Sequence, residues 1–218
     1  MATWSGIRKK LETEYLAQSL QGHIQYYEDI DEQTLNEIVN NKKLKWIQIS
    51  DYLPNEAYRK IDQILSERPD ITFRLFHFLN NDEVDISFLM DMPHVKKVQI
   101  DCIEFKNNPK RINLSVLAEL NLKSLHIECF DLRDYEFIQN LSDELEELSI
   151  INKLSDISFI EELTNLEIIK LQDLKHVNCL PDLRKHANLQ RLFIIDTGID
   201  IKELPNYLQE KVSNWDDR

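Results

Sequence analysis

One short apolar pattern recurs along most of this chain and constrains its fold more than any other feature. Apolar residues occupy the first, fourth and sixth positions of a six-residue segment. The segments begin at residues 44, 73, 95, 122, 145, 166 and 189. The intervals between them are 29, 22, 27, 23, 21 and 23 residues, and stacked repeat proteins commonly have periods of roughly 20 to 45 residues. We therefore predict about seven similar structural units between residues 43 and 208.

The spacing within each segment predicts the local structure of a unit. The fourth and sixth positions are two residues apart, as are side chains that share one face of a β-strand. A single unit cannot bury its own apolar side, so successive units must stack on one another. We expect an α/β solenoid with a curved parallel sheet on its concave side and with helices and loops on its convex side.

The segments between the predicted strands carry a second repeated phrase. Asp85–Leu89 reads DISFL and Asp156–Ile160 reads DISFI. Together with the six-residue pattern, these phrases resemble the bacterial type of leucine-rich repeat, in which an Asp-Ile-Ser segment precedes a short helical turn. The resemblance covers about residues 44–205 and implies a leucine-rich-repeat solenoid.

The chain departs from that repeat at one position. The repeat usually has Asn, Cys or Thr at its ninth position, where the side chain bonds the backbone of the turn. Here Asn81 and Thr197 fit, and the other five units have Tyr52, Ile103, Phe130, Lys153 and Leu174. We therefore expect irregular coils, with return segments that vary between true helices and loops.

The two ends of the chain are predicted to close the solenoid. Residues 1–42 form a helical N-terminal cap, with an amphipathic helix over Trp4–Leu20 and a second helix over Asp31–Asn40. A third helix, Asn55–Glu67, is the return segment of the first coil. Residues 209–218 form a polar C-terminal tail, in which Trp215 either folds back onto the last coil or frays with the tail.

Net charge is the main guide to the kind of partner. The chain carries 39 acidic and 26 basic residues, a net charge of −13. Residues 128–162 hold eleven acids and two basic residues, whereas residues 94–125 hold six basic residues and three acids. Nucleic acid binding needs a continuous basic face, which this distribution disfavours. It favours a basic protein partner attracted over long range, although part of the charge simply keeps the protein soluble.

Localisation is predicted from apolar runs and cysteines. The sequence has no apolar run long enough to cross a membrane and no apolar segment typical of a signal peptide at its start. Its three cysteines, Cys102, Cys129 and Cys179, have no paired spacing and are expected to be free thiols in a reducing compartment. We expect a cytoplasmic protein that does not bind membranes.

Motifs for catalysis and cofactor binding are absent from the sequence. We find no glycine-rich phosphate loop, no nucleophile elbow and no His-Glu-x-x-His segment, so neither an enzyme nor a cofactor is predicted. One trio on neighbouring strands, Asp101, His126 and Glu128, has side chains capable of binding a metal. We interpret the trio as solvated contact residues and predict no metal site.

The binding residues are predicted from the strand register. The third, fifth and seventh positions of each unit lie between the inward positions and face the concavity. The C-terminal units place an apolar cluster there beside an arginine, a composition typical of interaction sites. The predicted partner contacts are Trp46, Glu128, Glu147, Ile151, Ile168, Lys170, Arg191, Phe193 and Ile195. A second apolar group comprises Trp46, Leu75 and Leu79; for both groups, coverage by a terminal segment of the chain is the alternative.

These observations predict a non-catalytic protein–protein interaction module. One concrete form is an immunity or antitoxin-type inhibitor that covers the active surface of a basic toxin. The alternatives are a scaffold or adhesion-type repeat protein, placed at the cell surface if a leader was trimmed, and the recognition part of a larger enzyme. The sequence does not indicate an oligomeric state.

Overall fold

A computed structural model describes residues 15–17, 32–49, 52–76, 83–102, 111–129 and 135–213. Ten strands occur within these ranges, and eight of them form one parallel sheet in the order β1-β2-β3-β5-β7-β8-β9-β10. The other two, β4 and β6, form a separate parallel pair. The strands are β1 (Tyr15–Ala17), β2 (Trp46–Ile49), β3 (Thr72–Phe76), β4 (Glu83–Asp85), β5 (Lys97–Cys102), β6 (Arg111–Asn113), β7 (Ser124–Cys129), β8 (Glu147–Ile151), β9 (Ile168–Gln172) and β10 (Arg191–Ile195).

Helices fill most return segments between these strands. The described residues contain the α-helices α1 (Glu32–Asn40), α2 (Asn55–Glu67) and α3 (Asn206–Gln209). Short 3-10 helices span Ser87–Asp91, Ser115–Glu119, Glu136–Asn140, Ser158–Glu162 and Ile201–Glu203. The helices predicted over residues 31–40 and 55–67 are confirmed, as is the expected variation between coils. None of the helices in the described ranges has the length and apolar character needed to span a bilayer.

The core lies between the sheet and the layer of helices. Each sheet strand from β2 onward contributes an inward residue that is at most 1% exposed, and strand pairing aligns these residues in one row: Ile47, Phe73, Val98, Leu125, Leu148, Ile169 and Leu192. The 3-10 helices pack Leu89, Leu117, Ile138 and Ile160 against that row. Burying each such side chain stabilises the fold by about 1.5–3 kcal/mol.

The repeated aspartates start the turns of the return segments. The carboxylate of Asp85 accepts a hydrogen bond of 2.9 Å from the backbone N–H of Ser87. The same bond recurs from Ser158 to Asp156, from Arg184 to Asp182 and from Lys202 to Asp200. Because this bond favours the ionised form, it lowers the pKa of Asp156. The repeated phrase thus predicts the turns correctly, since Asp accepts from the N–H two residues ahead.

The prediction for the first segment is wrong at residues 15–17. They form strand β1, which pairs in parallel with β2 and places Leu16 opposite Ile47. The helical spacing of apolar residues is a local signal, and pairing with the free edge of β2 overrides it. The rest of the helix predicted over residues 4–20 lies outside the described residues. The sheet therefore begins ahead of residue 43, and the division into residues 1–42, 43–208 and 209–218 stays a prediction.

The C-terminal segment returns to the edge of the sheet. Leu192 N–H donates to the carbonyl of Lys211 at 2.8 Å, and Ser213 N–H donates to the carbonyl of Leu192 at 3.0 Å. Leu204 and Leu208 are buried beneath this return. The tail is thus held against β10 as far as residue 213, and Trp215 lies outside the described residues.

A buried asparagine bonds two successive coils to each other. Asn152 is 1% exposed, and its amide donates to the carbonyl of Cys129 and to the Tyr135 hydroxyl. It lies one residue before Lys153, which occupies the predicted ninth position. Asn152 is the eighth residue of its unit, whereas the repeat has its polar turn residue at the ninth position. Inspection of the ninth position alone therefore misses this hydrogen bond.

The return segment between β9 and β10 contains a buried histidine that is expected to make stability depend on pH. His186 is 4% exposed. Its Nε2 donates to the carbonyl of Ile160 at 3.1 Å, and its Nδ1 has no hydrogen-bond partner among the described residues. Burial lowers the pKa of His186 below its ordinary value of 6.5. The native state therefore holds the neutral ring, while the unfolded chain takes up a proton once the pH falls below about 6.5.

We expect the free energy of unfolding to decrease as the pH falls from 8 to 5. Urea denaturation at several pH values measures this slope, to which half-buried His126 also contributes because its partial burial lowers its pKa. In His186→Gln, the amide can still donate to Ile160 but does not titrate, so the slope should be shallower. His176→Asn, at an exposed position, is the matched control. Equal slopes in the wild type and His186→Gln would exclude this histidine as a cause.

Candidate binding surface

The outer face of the sheet, opposite the core, presents three rows of side chains, which we call the binding face. Strand pairing fixes the rows. The first row is Trp46, Thr72, Lys97, Ser124, Glu147, Ile168 and Arg191. The second is Gln48, Arg74, Gln99, His126, Ser149, Lys170 and Phe193. The third is Phe76, Asp101, Glu128, Ile151, Gln172 and Ile195. All nine predicted contact residues therefore lie on this face, whereas their role in binding stays a prediction.

The prediction for β3 is wrong in register. Phe73 and Leu75 pair with the inward residues of both neighbouring strands and are 0% exposed, so Leu75 belongs to the core. Arg74 and Phe76 face outward instead. The pattern at 73, 76 and 78 is displaced by three residues, and any odd displacement exchanges the two faces of a strand. Leu79 lies outside the described residues. Of the predicted N-terminal apolar group, only Trp46 is therefore seen on the binding face within the described ranges, and it is half-buried.

Arg74 links the N-terminal part of the binding face to its centre. Its guanidinium pairs with the carboxylate of Asp101, which is 0% exposed, and donates to Gln48 Oε1 at 3.0 Å. Gln99 Nε2 also donates to Asp101, at 3.1 and 3.2 Å to its two oxygens. Sequence reasoning missed Arg74 because the wrong register of β3 placed it inward. The alternation of Ile71, Phe73 and Leu75 fits the correct register, but Phe76 and Phe78 fit the other register equally well.

His126 and Glu128 lie beside this ion pair on β7. The Nε2 of His126 is 3.7 Å from Asp101 Oδ1. Burial lowers the pKa of His126, and the opposing effect of Asp101 does not cancel it. Burial also raises the pKa of Glu128, and the negative charge of Asp101 raises it further. The ligand atoms of Asp101, His126 and Glu128 all lie within 4.8 Å of one another, so these residues could hold a metal ion.

A second ion pair occupies the C-terminal part of the binding face. Lys170 Nζ pairs with Glu147 Oε1, and Ser124 Oγ donates to Glu147 Oε2 at 3.2 Å. Burial raises the pKa of Glu147, but the hydrogen bond and charge of Lys170 outweigh it and leave that pKa below its ordinary value. Lys170 also lies 5.7 Å from the centre of the Phe193 ring. The ion pair, the hydrogen bond from Ser124 and the ring contact thus hold the side chains of Lys170 and Glu147 in place.

Phe193, which the sequence predicts as a partner contact in an accessible apolar cluster, is buried in the structure. Its side chain is 2% exposed although it lies on the face opposite the core. The guanidinium of Arg191, which lies on the binding face as Lys170 does, is 5.9 Å from the centre of this ring. The flanking apolar residues Ile168 and Ile195 are half-buried, as is Ile151 on β8. The C-terminal apolar cluster is therefore accessible at its isoleucines and arginine rather than at its phenylalanine.

The acidic residues lie mostly away from the binding face. Among its described side chains, four are basic (Arg74, Lys97, Lys170 and Arg191) and three are acidic (Asp101, Glu128 and Glu147). Some exposed acids lie just before the N-terminal ends of the strands, where Glu146 pairs with Lys123 at 2.6 Å. Others lie on the helical side, such as Glu162. The face is nearly balanced in charge, and exposed acids such as Glu146 and Glu162 lie outside it.

Comparison with known proteins agrees with this architecture. No family model matches the sequence, and no curated protein matches it. Two similar solved structures are internalins from Listeria monocytogenes. Internalin C2 has 20% identity and a TM-score of 0.50, covering 81% of this chain and 74% of its own. A second internalin, inlF, has 19% identity and a TM-score of 0.48; the match covers 88% of this chain but about half, 51%, of that one. Together with the repeating parallel strands, the similarity to internalin C2 identifies the fold as a leucine-rich-repeat solenoid.

Proposed function

We propose that this chain is a protein-binding module and that its partner docks on the binding face. The observation that carries the proposal is the C-terminal half of that face, where Ile151, Ile168 and Ile195 remain half-buried on the side opposite the core. The fold does not need apolar side chains there. Apolar residues beside an arginine are typical of protein contact sites, in which such residues supply most of the binding energy.

The charge distribution supports a basic partner for this module. The binding face itself is nearly neutral, and exposed acids lie elsewhere on the chain, so a basic protein would be attracted over long range and then bind mainly through apolar contacts. The net charge of −13 strengthens that attraction. Inhibition by covering the active surface of a basic toxin is the specific form we propose. Cytoplasmic localisation is part of the same proposal and is supported by the free thiols of buried Cys129 and exposed Cys179.

Site-specific photocrosslinking tests the location of the contact. We expect a benzoylphenylalanine placed at Gln172, on the binding face, to crosslink a protein in lysate of the source organism. The same group at Glu162, on the helical side, should not crosslink it. Mass spectrometry then identifies the crosslinked protein and its charge. Equal crosslinking from both positions, or crosslinking from Glu162 alone, would contradict docking on this face.

Charge reversal provides the matched variants. Arg191→Glu should reduce the yield of the Gln172 crosslink about tenfold or more, as expected for loss of an interface arginine. Arg184→Glu changes an exposed arginine outside the binding face and should leave the yield unchanged. A crosslinked partner with an acidic isoelectric point would contradict the basic partner while leaving the docking surface in place.

A further inference from the structure

Three side chains with metal-binding chemistry meet near the middle of the binding face. Asp101 on β5 lies directly opposite Glu128 on β7 in the parallel ladder. His126 precedes Glu128 by two residues and therefore projects from the same face. The ligand atoms of Asp101, His126 and Glu128 all lie within 4.8 Å of one another, and no other such group of three occurs among the described residues. Two central, paired strands fix their backbone positions.

The separation of the ligand atoms suits a single ion. Asp101 Oδ1 and His126 Nε2 are 3.7 Å apart. Two ligands that are each about 2.1 Å from a tetrahedral zinc ion lie about 3.4 Å from each other. The Asp101–His126 distance is close to that value, and the ligand atom of Glu128 lies within 4.8 Å of both.

The charges around the trio leave room for a cation. Asp101 is 0% exposed and is paired with Arg74. The carboxylate of Glu128 makes no hydrogen bond or ion pair with any residue in the part of the chain that the structure describes. Among the described residues, two partly or fully buried carboxylates thus face the guanidinium of Arg74, and the imidazole of His126 supplies a nitrogen ligand.

Arg74 and Gln99 do not block an ion at this position. Arg74 pairs with Oδ2 of Asp101, which leaves Oδ1 directed towards His126. Gln99 Nε2 donates to both oxygens and can keep its 3.2 Å bond to Oδ2 when Oδ1 binds a metal. Carboxylate ligands are usually oriented by hydrogen bonds of this kind from a second layer of residues.

We propose that Asp101, His126 and Glu128 together bind one divalent metal ion with the ligand preferences of Zn²⁺. Two oxygens and one imidazole nitrogen suit zinc better than calcium or magnesium, which prefer oxygen ligands alone. Three protein ligands leave a fourth position for water or for a side chain of the docked partner. This proposal goes beyond the proposed function, since protein binding on this face needs no metal.

Calorimetric titration of the chelator-treated full chain with ZnCl₂ tests the site. We expect one ion per chain. When Co²⁺ replaces Zn²⁺, we expect visible absorption bands. Intense bands would indicate that the ion has a low coordination number, as expected for a site with three protein ligands. His126→Asn and Glu128→Gln should each weaken Zn²⁺ binding at least tenfold and reduce the Co²⁺ bands. Circular dichroism verifies that each variant is folded.

His94→Asn is the matched control, because His94 also pairs with a carboxylate, Asp62, at 2.8 Å but lies outside the binding face. It should leave both titrations unchanged. If His126→Asn fails to fold, Glu128→Gln decides, since Glu128 has no hydrogen bond or ion pair with any residue in the described ranges. Absence of stoichiometric binding, equal affinity in Glu128→Gln, or weakening by His94→Asn alone would each overturn the proposal.

Discussion

Replacing Arg74 with methionine should lower the free energy of unfolding by about 3–5 kcal/mol, the range observed when one partner of a buried ion pair is removed. Arg74 neutralises Asp101, whose carboxylate is 0% exposed and cannot be hydrated in the folded protein. Methionine preserves most of the side-chain volume but supplies neither charge nor hydrogen-bond donors. Urea denaturation followed by circular dichroism measures the loss.

Two further variants separate the ion pair from other effects of the substitution. The double variant Arg74→Met with Asp101→Leu removes both charges, and much of the lost stability should return because the uncompensated carboxylate is gone. Arg184→Met removes an ion pair with Asp182 on the surface, and water can hydrate the remaining carboxylate, so stability should change little. Equal losses in Arg74→Met and Arg184→Met would show that burial of Asp101 does not govern this effect.

Much of the fold could be predicted because the repeat encodes it twice. Alternating apolar residues fix the faces of β2, β5 and β7 to β10, and the Asp-Ile-Ser phrases fix the turns of the return segments. Both signals are local and are repeated with little change, so an error in one coil does not affect the others. The register of β3 could not be fixed this way, because apolar residues fit two frames in the segment from Ile71 to Leu79. The outward position of Arg74 resolves the choice.

The binding face was predictable in position but not in exposure. Strand register decides which residues face outward, and this is why His126, Glu147 and Lys170 occur where the pattern places them. Exposure depends on contacts between residues far apart in sequence, such as the Arg74–Asp101 pair, which joins neighbouring strands. A pattern within one unit holds no information about such contacts.

Phe193→Ala should therefore lower the free energy of unfolding by about 3 kcal/mol, near the lower end of the range for truncation of a buried phenylalanine. The ring is 2% exposed, with Lys170 and Arg191 positioned beside it. Removing the ring leaves a cavity and takes away both cation contacts. For a chain of this size, the loss corresponds to a decrease of about 6–12 °C in Tm, which differential scanning calorimetry measures.

Ile195→Ala is the control for this prediction, because Ile195 lies two residues further along the same face of β10 but is only half-buried. Its loss of stability should be clearly smaller, since truncation costs less where water already reaches the side chain. Crosslinking from Gln172 then separates folding from binding. We expect Ile195→Ala to reduce the yield of crosslinked partner while the protein stays folded. A Phe193→Ala protein with unchanged Tm and reduced crosslinking would instead show that the ring is an accessible contact residue.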